Sequence, residues 1–188
     1  MGSMGKPARH PDPALYTQVR LVDEADRDVP VGQVGEVLLH SPALMVGYYR
    51  DPERTADAMR GGWLHTGDYA RQDEDGFFFF VDRKKDIIRR RGENIASVEI
   101  ERVLNVHPAV AESAVIPVPA ALGEDDIHAY VVLQPGAQTT VEELQTWCAA
   151  RLAGFKMPQS VRFRDALPKT PTQRVEKYKL REEYARGV

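Results

Sequence analysis

The sequence predicts an α+β chain in two parts: a β-rich section with one short helix, then a small α+β domain with a short sheet and flanking helices. Three observations predict it. Apolar and polar residues alternate in short runs up to Val81, and the polar stretch Asp82-Arg83-Lys84-Lys85-Asp86 interrupts that pattern. Beyond it, helical periods intermix with strands over about a hundred residues.

Residues 1–16 are rich in Gly and Pro, show no period and read as an extended lead. From Thr17 the chain alternates, with Val19 and Leu21 on one face and Gln18 and Arg20 on the other, as a half-buried strand does. A polar turn over 23–32 leads to a second strand at 36–40, so the pair suggests a hairpin with a long connection. Asp51-Pro52 starts a short helix: Asp51 can accept from an orphan N–H, and Pro52 suits the first turn, where its missing N–H costs nothing. Gly61-Gly62 ends it, and strands at 63–65 and 77–81, separated by a charged turn over 71–76, complete the section.

After the polar boundary, strands at 87–90 and 94–96 flank a turn at Gly92, and Ser97 caps a helix presenting Ile100, Val103 and Leu104. Strands follow at 114–118 and 128–133. Thr140 and Glu143 form a capping box for a helix with Val141, Leu144, Trp147 and Leu152 on one face. Val161 and Phe163 alternate in a last strand, and 176–184 is helical.

Composition narrows the function classes. Hydrophobic residues make up 43% and charged residues 28% of 188, a globular composition able to bury a core. Twenty-eight acids against 25 bases, net −3, give no reason to expect nucleic acid or an anionic membrane as main partner. Cys148 is the only cysteine, which excludes an internal disulfide or a Cys-rich zinc site and points to a reducing compartment. The five histidines are not clustered at ligand spacing, so no metal site is expected. No stretch approaches the roughly 18 apolar residues needed to span a bilayer, and no signal core opens the chain, so the expected location is cytoplasmic.

Four stretches carry candidate chemistry: Gly47-Tyr48-Tyr49 with Pro52-Glu53-Arg54-Thr55; Trp63-Leu64-His65-Thr66-Gly67-Asp68; DRKKDIIRRRGENIASVE over 82–99; and Leu167-Pro168-Lys169-Thr170-Pro171-Thr172. In the second, a short carboxylate at a tight Gly turn can accept from both hydroxyls of a ribose, although Thr66-Gly67-Asp68 is also ordinary turn chemistry. In the third, Arg89-Arg90-Arg91-Gly92-Glu93-Asn94 is a basic turn around one glycine, where the backbone admits close approach and guanidinium groups can meet phosphates. Arg83-Lys84-Lys85 by itself reads as a solvated linker, the reading kept for Lys84. His65 reads as a satisfied, partly buried histidine rather than a nucleotide contact, and Cys148, beside Leu144 and Trp147, as a core residue.

In this order and spacing the four stretches resemble the C-terminal third of the adenylate-forming superfamily: acyl-CoA synthetases, adenylation domains of peptide synthetases, and luciferases. The resemblance runs from about Gly5 to Arg181. Around Arg89-Arg90-Arg91-Gly92-Glu93-Asn94-Ile95 it is greatest to bacterial ligases of the crotonobetaine/carnitine- and fatty-acid-CoA type. It implies a two-step reaction in which a carboxylate and ATP give acyl-AMP, and coenzyme A then displaces AMP, with a small C-terminal domain rotating between the steps. ATP/AMP and coenzyme A are the cofactors it implies. Mg2+ belongs to the parent enzyme without being liganded by this chain alone.

By that resemblance Asp68 is the ribose ligand, with Thr66 and Gly67 beside it, and Arg83 lies near the ribose and the domain junction. Lys85 falls at the hinge position. Residues 1–81 are then an incomplete distal β-subdomain of a large adenylation domain, 82–86 the hinge, and 87–188 the mobile C-terminal domain. Arg91, Gly92 and Glu93 belong to the loop lining the pantetheine tunnel, where many members have two glycines in place of Arg91-Gly92. Glu99 matches a glutamate that supports the following helix start through its dipole. Phe155-Lys156-Met157-Pro158 resembles Tyr-Lys-x-Pro and reads as packing and turn structure.

The family's Pro-x-x-Gly-Lys is the main departure, because a gap-free match puts Gln173 at the glycine and Arg174 at the lysine that bridges carboxylate and ATP phosphate. Arg keeps the charge as a planar fork rather than a compact ammonium. Three readings follow: Arg174 does the lysine's work, Lys177 or Lys179 reaches in, or adenylation is weakened; the first is preferred. The family's phosphate loop, adenine pocket and acyl pocket lie upstream of the matched portion. The resemblance therefore implies a C-terminal piece, inactive in isolation, whose partners are the missing N-terminal half of the same enzyme and a carboxylic acid. An exposed apolar face would favour self-association. A stand-alone nucleotide- or coenzyme-A-binding module without catalysis is the alternative. A nucleic-acid patch over 83–91 is disfavoured by the interruption at Asp86-Ile87-Ile88, the absence of an aromatic platform and the acidic chain.

Overall fold

The computed structural model describes residues 2–12, 15–120 and 123–187; Met1, Pro13 and Ala14 of the extended lead lie outside the described residues. The chain divides into two compact units, Met1–Lys85 and Asp86–Val188.

The first unit is an antiparallel sheet of β1 (Gln18–Val22), β2 (Val34–His40), β3 (Leu64–Gln72) and β4 (Phe78–Arg83), neighbours in sequence order. Leu21, Ala70 and Phe78 bury one face, with Val19, Val29 and Val37 packed against them. The short helix α1 (Pro52–Ala58) begins as expected, Asp51 Oδ1 accepting from the Arg54 N–H at 3.0 Å. The Gly61-Gly62 pair follows it in a 3-10 turn at φ 64° and 79°.

One expectation is corrected here. Thr66-Gly67-Asp68 is not a turn after a short strand at 63–65, because β3 runs nine residues straight through it. Glu36 stands opposite Tyr69 and Leu38 opposite His65, so residues 66, 67 and 68 all face Val37 alone. The sequence makes an enlarged bulge of three residues against one, and Gly67, at φ 70°, supplies a left-handed residue within it.

In the second unit, β5 (Ile87–Arg90) and β6 (Glu93–Ala96) form a hairpin closed by Arg91 and Gly92 at φ 52° and 75°, the two positive values of a type I′ turn. The helix α2 (Ser97–Asn105) has Ala96 at its N-cap, so Ser97 is the first helical residue and not the cap. A three-stranded sheet follows, with β7 (Val110–Pro119) antiparallel and β9 (Ser160–Phe163) parallel to the central β8 (Asp125–Leu133). The capping box of α3 (Val141–Ala149) is complete: Thr140 Oγ1 accepts the Glu143 N–H at 3.2 Å and Glu143 Oε2 accepts the Thr140 N–H at 3.1 Å. Leu152 lies past the end of that helix yet still packs on the core.

The two faces of this sheet bury different partners. Ile100 and Leu104 of α2, Leu144 and Cys148 of α3, and Ile88 and Ile95 of the hairpin share one core with Val115, Ile127 and Val131. On the other face, α4 (Lys177–Ala185) inserts Leu180 among Ala114, Ile116 and Tyr130. The hairpin is thus set on the same side as α2 and α3.

Its turn yields a stability prediction. A left-handed φ costs a non-glycine residue roughly 1–2 kcal/mol, while a new glycine gives back about 0.5–1 kcal/mol through unfolded-chain freedom. Arg91→Gly therefore stabilises the second unit by up to about 1 kcal/mol. Gly92→Ala destabilises it, although a Cβ there meets nothing within 4 Å, because the backbone angle alone decides. Denaturation midpoints of the two variants, moving in opposite directions, check both.

Candidate functional site

In the first unit, the bulge raises Asp68 beside Arg83 of β4, its register partner. Arg83 Nε lies 3.2 Å from Asp68 Oδ1, yet that oxygen accepts no hydrogen bond. The Thr66 hydroxyl is engaged in the bulge itself, donating to the Val37 carbonyl at 2.8 Å and accepting the Asp68 N–H at 3.2 Å. Thr66 thus shapes the bulge, beside which the Asp68 and Arg83 side chains form a partly exposed ion pair.

Beneath the bulge sits a residue that sequence reasoning missed. Glu36 is buried, and its Oε1 accepts the Gly67 N–H at 3.2 Å while its Oε2 accepts from Lys84 Nζ at 2.7 Å. Lys84 is therefore not a solvated linker residue but the counter-ion of a buried acid. His65 completes the cluster with its Nδ1 3.6 Å from Glu36 Oε2; the residue is partly buried, as expected, but this nitrogen makes no hydrogen bond and is not satisfied. Burial by itself pushes the Glu36 carboxyl up. The Lys84 hydrogen bond and charge, with the Gly67 N–H and His65, outweigh burial and hold it below its ordinary 4.5.

The sign of the linkage follows. A carboxyl whose folded pKa lies below its unfolded one stabilises the fold above the unfolded value, and that stability drains as pH falls through the folded value. The first unit is expected to lose stability below about pH 4.5 through this group, and Glu36→Gln to flatten that acid limb, as read from melting midpoints between about pH 6 and pH 3.

In the second unit the hairpin tip, Arg91-Gly92-Glu93, is exposed. Arg90 is not available to phosphates: its Nη1 donates to Asp126 Oδ1 at 2.6 Å and to Gln159 Oε1 at 2.8 Å. Glu99, in the first turn of α2, accepts from Lys156 Nζ at 2.7 and 2.8 Å, which gives the Phe155-Lys156 stretch an ion pair as well as a packing role.

The loop after Leu167 closes on itself. Lys169 bridges to Val175, and the Thr170 N–H donates to the Arg174 carbonyl at 2.9 Å. The Arg174 N–H returns to Thr170 Oγ1 at 3.1 Å. Gln173 lies at φ 64°, a left-handed backbone at the position where a glycine is usual. Arg174 is exposed, and its guanidinium has no ion-pair partner among the described residues. Lys177 is placed differently: its Nζ meets Ser97 Oγ at 2.7 Å and Glu101 Oε1 at 2.6 Å, joining α4 to α2 with both charged side chains 14% exposed. The substitute role weighed for Lys177 loses its free ammonium. Lys179 pairs with Glu176 at 2.6 Å.

The basic run does not form one patch, since Arg83, Lys84 and Arg90 are each matched to a different acid. Among the described residues, no three His, Cys, Asp or Glu side chains converge as a metal site requires, and no helix is long and apolar enough to cross a membrane.

The sequence profile of the family described as AMP-binding enzyme C-terminal domain matches residues 99–174. This part of the chain is an AMP-binding enzyme C-terminal domain. A fatty acid–acyl-carrier-protein ligase, ScoC of Streptomyces coeruleorubidus, is 41% identical over 183 residues, 97% of this chain and 35% of its own length. A long-chain-fatty-acid–CoA ligase of Escherichia coli O6:H1 is 42% identical over 175 residues, 93% of this chain and 31% of its own. Among solved structures, ATP-bound MatB from Rhodopseudomonas palustris aligns with a TM-score of 0.82 at 36% identity, over 89% of this chain and 34% of that one. The chain spans about a third of the length of the curated relatives it matches. The matched segment includes Lys169 and ends at Arg174, one residue before Val175 of the bridge, whereas Asp68 and Arg83 lie upstream of it.

Proposed function

We propose that the chain supplies the C-terminal part of an ATP-dependent acid–thiol ligase, an acyl-CoA synthetase. A carboxylate oxygen bonds to the α-phosphorus of ATP as pyrophosphate leaves, giving an acyl-adenylate. The sulfur of coenzyme A then attacks the acyl carbon, the C–O bond breaks, AMP leaves with the electron pair and the thiol proton passes to solvent.

The single observation that carries this reading is Asp68, lifted on a glycine bulge next to Arg83 with its Oδ1 buried beside that arginine and its side chain 36% exposed. A carboxylate so placed suits the paired hydroxyls of a ribose, and Arg83 adds a cation for the nucleotide. Arg174, exposed on its self-bonded loop, takes the phosphate and carboxylate charge during adenylation. The exposed tip Arg91-Gly92-Glu93 meets coenzyme A, and Lys85, at the division between the units, is the hinge. The remaining groups of the ATP site, the carboxylic acid pocket and any Mg2+ ligands belong to sequence of the kind that the longer relatives carry.

Titration of the isotopically labelled chain with AMP to millimolar concentration tests this. Amide resonances of Gly67, Asp68 and Arg83 are expected to shift together, and Asp68→Ala to remove the response. Shifts confined to other segments, or surviving in Asp68→Ala, contradict the reading.

A further inference from the structure

Among the described residues, the β5–β6 hairpin pairs with no third strand. A two-stranded ribbon is marginal in water, so its base and its tip each need another anchor. Ile88 and Ile95 hold the base in the core. The tip is gripped by three consecutive acids at the head of β8. Glu124 Oε1 accepts the Arg91 N–H at 3.0 Å, Asp125 Oδ2 accepts the Arg89 N–H at 2.8 Å, and Asp126 Oδ1 takes Arg90 Nη1 at 2.6 Å. Gln159 closes the set, its Oε1 accepting from Arg90 Nη1 at 2.8 Å and from the Ile127 N–H at 2.6 Å.

The N–H groups of Arg89, in the strand, and of Arg91, in the turn, both bond to acids of the 124–126 run. The two carboxylates stand where the carbonyls of a neighbouring strand would stand. They hold a turn whose first residue, Arg91, is left-handed without being glycine. Released from that side, the turn has lower-energy conformations open to it, and Arg91 and Gly92 lose their fixed direction.

We infer that Glu124, Asp125 and Asp126, with Gln159, are positioning residues that replace a missing strand and aim the Arg91-Gly92 tip for the thiol half-reaction alone. The inference rests on the ligase reading above. The grip is built wholly from residues of the second unit other than Arg174, so acid activation is expected not to depend on it.

The test places the full chain in the Escherichia coli long-chain-fatty-acid–CoA ligase in exchange for the third that it matches. Glu124→Ala with Asp125→Ala is compared with Glu124→Gln with Asp125→Asn, which keeps an acceptor oxygen at both places. The alanine pair is expected to raise KM for coenzyme A by about 10–100-fold, the scale of a misplaced binding group, with ATP–pyrophosphate exchange within about twofold of the parent. The amide pair recovers most of the loss. On the 188-residue chain, the alanine pair speeds hydrogen exchange at the Arg89 and Arg91 amides and leaves Ala129 and Val131 of β8 protected, which separates release of the tip from unfolding. Equal losses in both half-reactions, or an unchanged KM with unchanged protection, overturn the inference alone. A parent chimera that activates acid but forms no thioester overturns the ligase reading and this inference with it.

Discussion

Arg174→Ala is expected to lower acid-dependent ATP–pyrophosphate exchange by about 10²–10³-fold, the loss seen when one charge aimed at a developing transition state is removed. Neighbouring cations offer no rescue. Lys177 is engaged with Glu101 and Ser97, and Lys179 with Glu176. The fall is expected in kcat with little change in KM for ATP, because the contact forms as charge develops. Arg174→Lys retains most of the rate, since the left-handed residue before it and the Thr170 bonds behind it hold the loop whatever the side chain. The melting temperature is expected to stay within a degree or so, because no ion pair to Arg174 is lost. A variant that melts early and loses ATP affinity in proportion marks Arg174 as structural instead.

Asp68→Ala is expected to weaken AMP and ATP by about 10–100-fold, corresponding to roughly 1.5–3 kcal/mol for hydrogen bonds to a charged acceptor. Asp68→Asn falls between, since the amide keeps one acceptor and offers an N–H where a ribose hydroxyl presents its own. Stability is barely affected, because the Asp68–Arg83 pair is largely exposed, at 36% and 62% for the two side chains, and such pairs contribute little. Nucleotide titrations followed by calorimetry separate the two variants. An Asn variant that binds as well as the parent removes the ribose from the account.

Local chemistry was the part of this molecule most readable from its residues. The Asp51-Pro52 helix start, the Thr140–Glu143 capping box and the Arg91-Gly92 hairpin turn all depend on residues within four positions of each other, and each stands where the sequence predicts. Ser97 was displaced by one, because a serine suits the first helical position as well as the cap. Thr66-Gly67-Asp68 reads as a turn in the sequence because a bulge and a turn can both use a left-handed glycine; what separates them is the strand at Val37, some thirty positions away. Separations as long or longer, 48 positions for Glu36 and Lys84 and 33 to 36 for the acids at 124–126 and the hairpin, hid those pairs as well. Long-range pairing of single charges leaves no period and no spacing, so Lys84 read as linker and Lys177 as a possible stand-in for Arg174. Of the candidate site, Asp68, Arg83 and Arg174 were legible through their neighbours in sequence, and the groups that hold them in place were not.

Acid-dependent ATP–pyrophosphate exchange by the chimera, with this chain in place of the matched third of the Escherichia coli ligase, tests the central claim most directly. The account predicts exchange that depends on a carboxylic acid, falls about 10²–10³-fold in Arg174→Ala and is weakened through KM for ATP in Asp68→Ala. A folded chimera without exchange, or one whose exchange is indifferent to both substitutions, would contradict it.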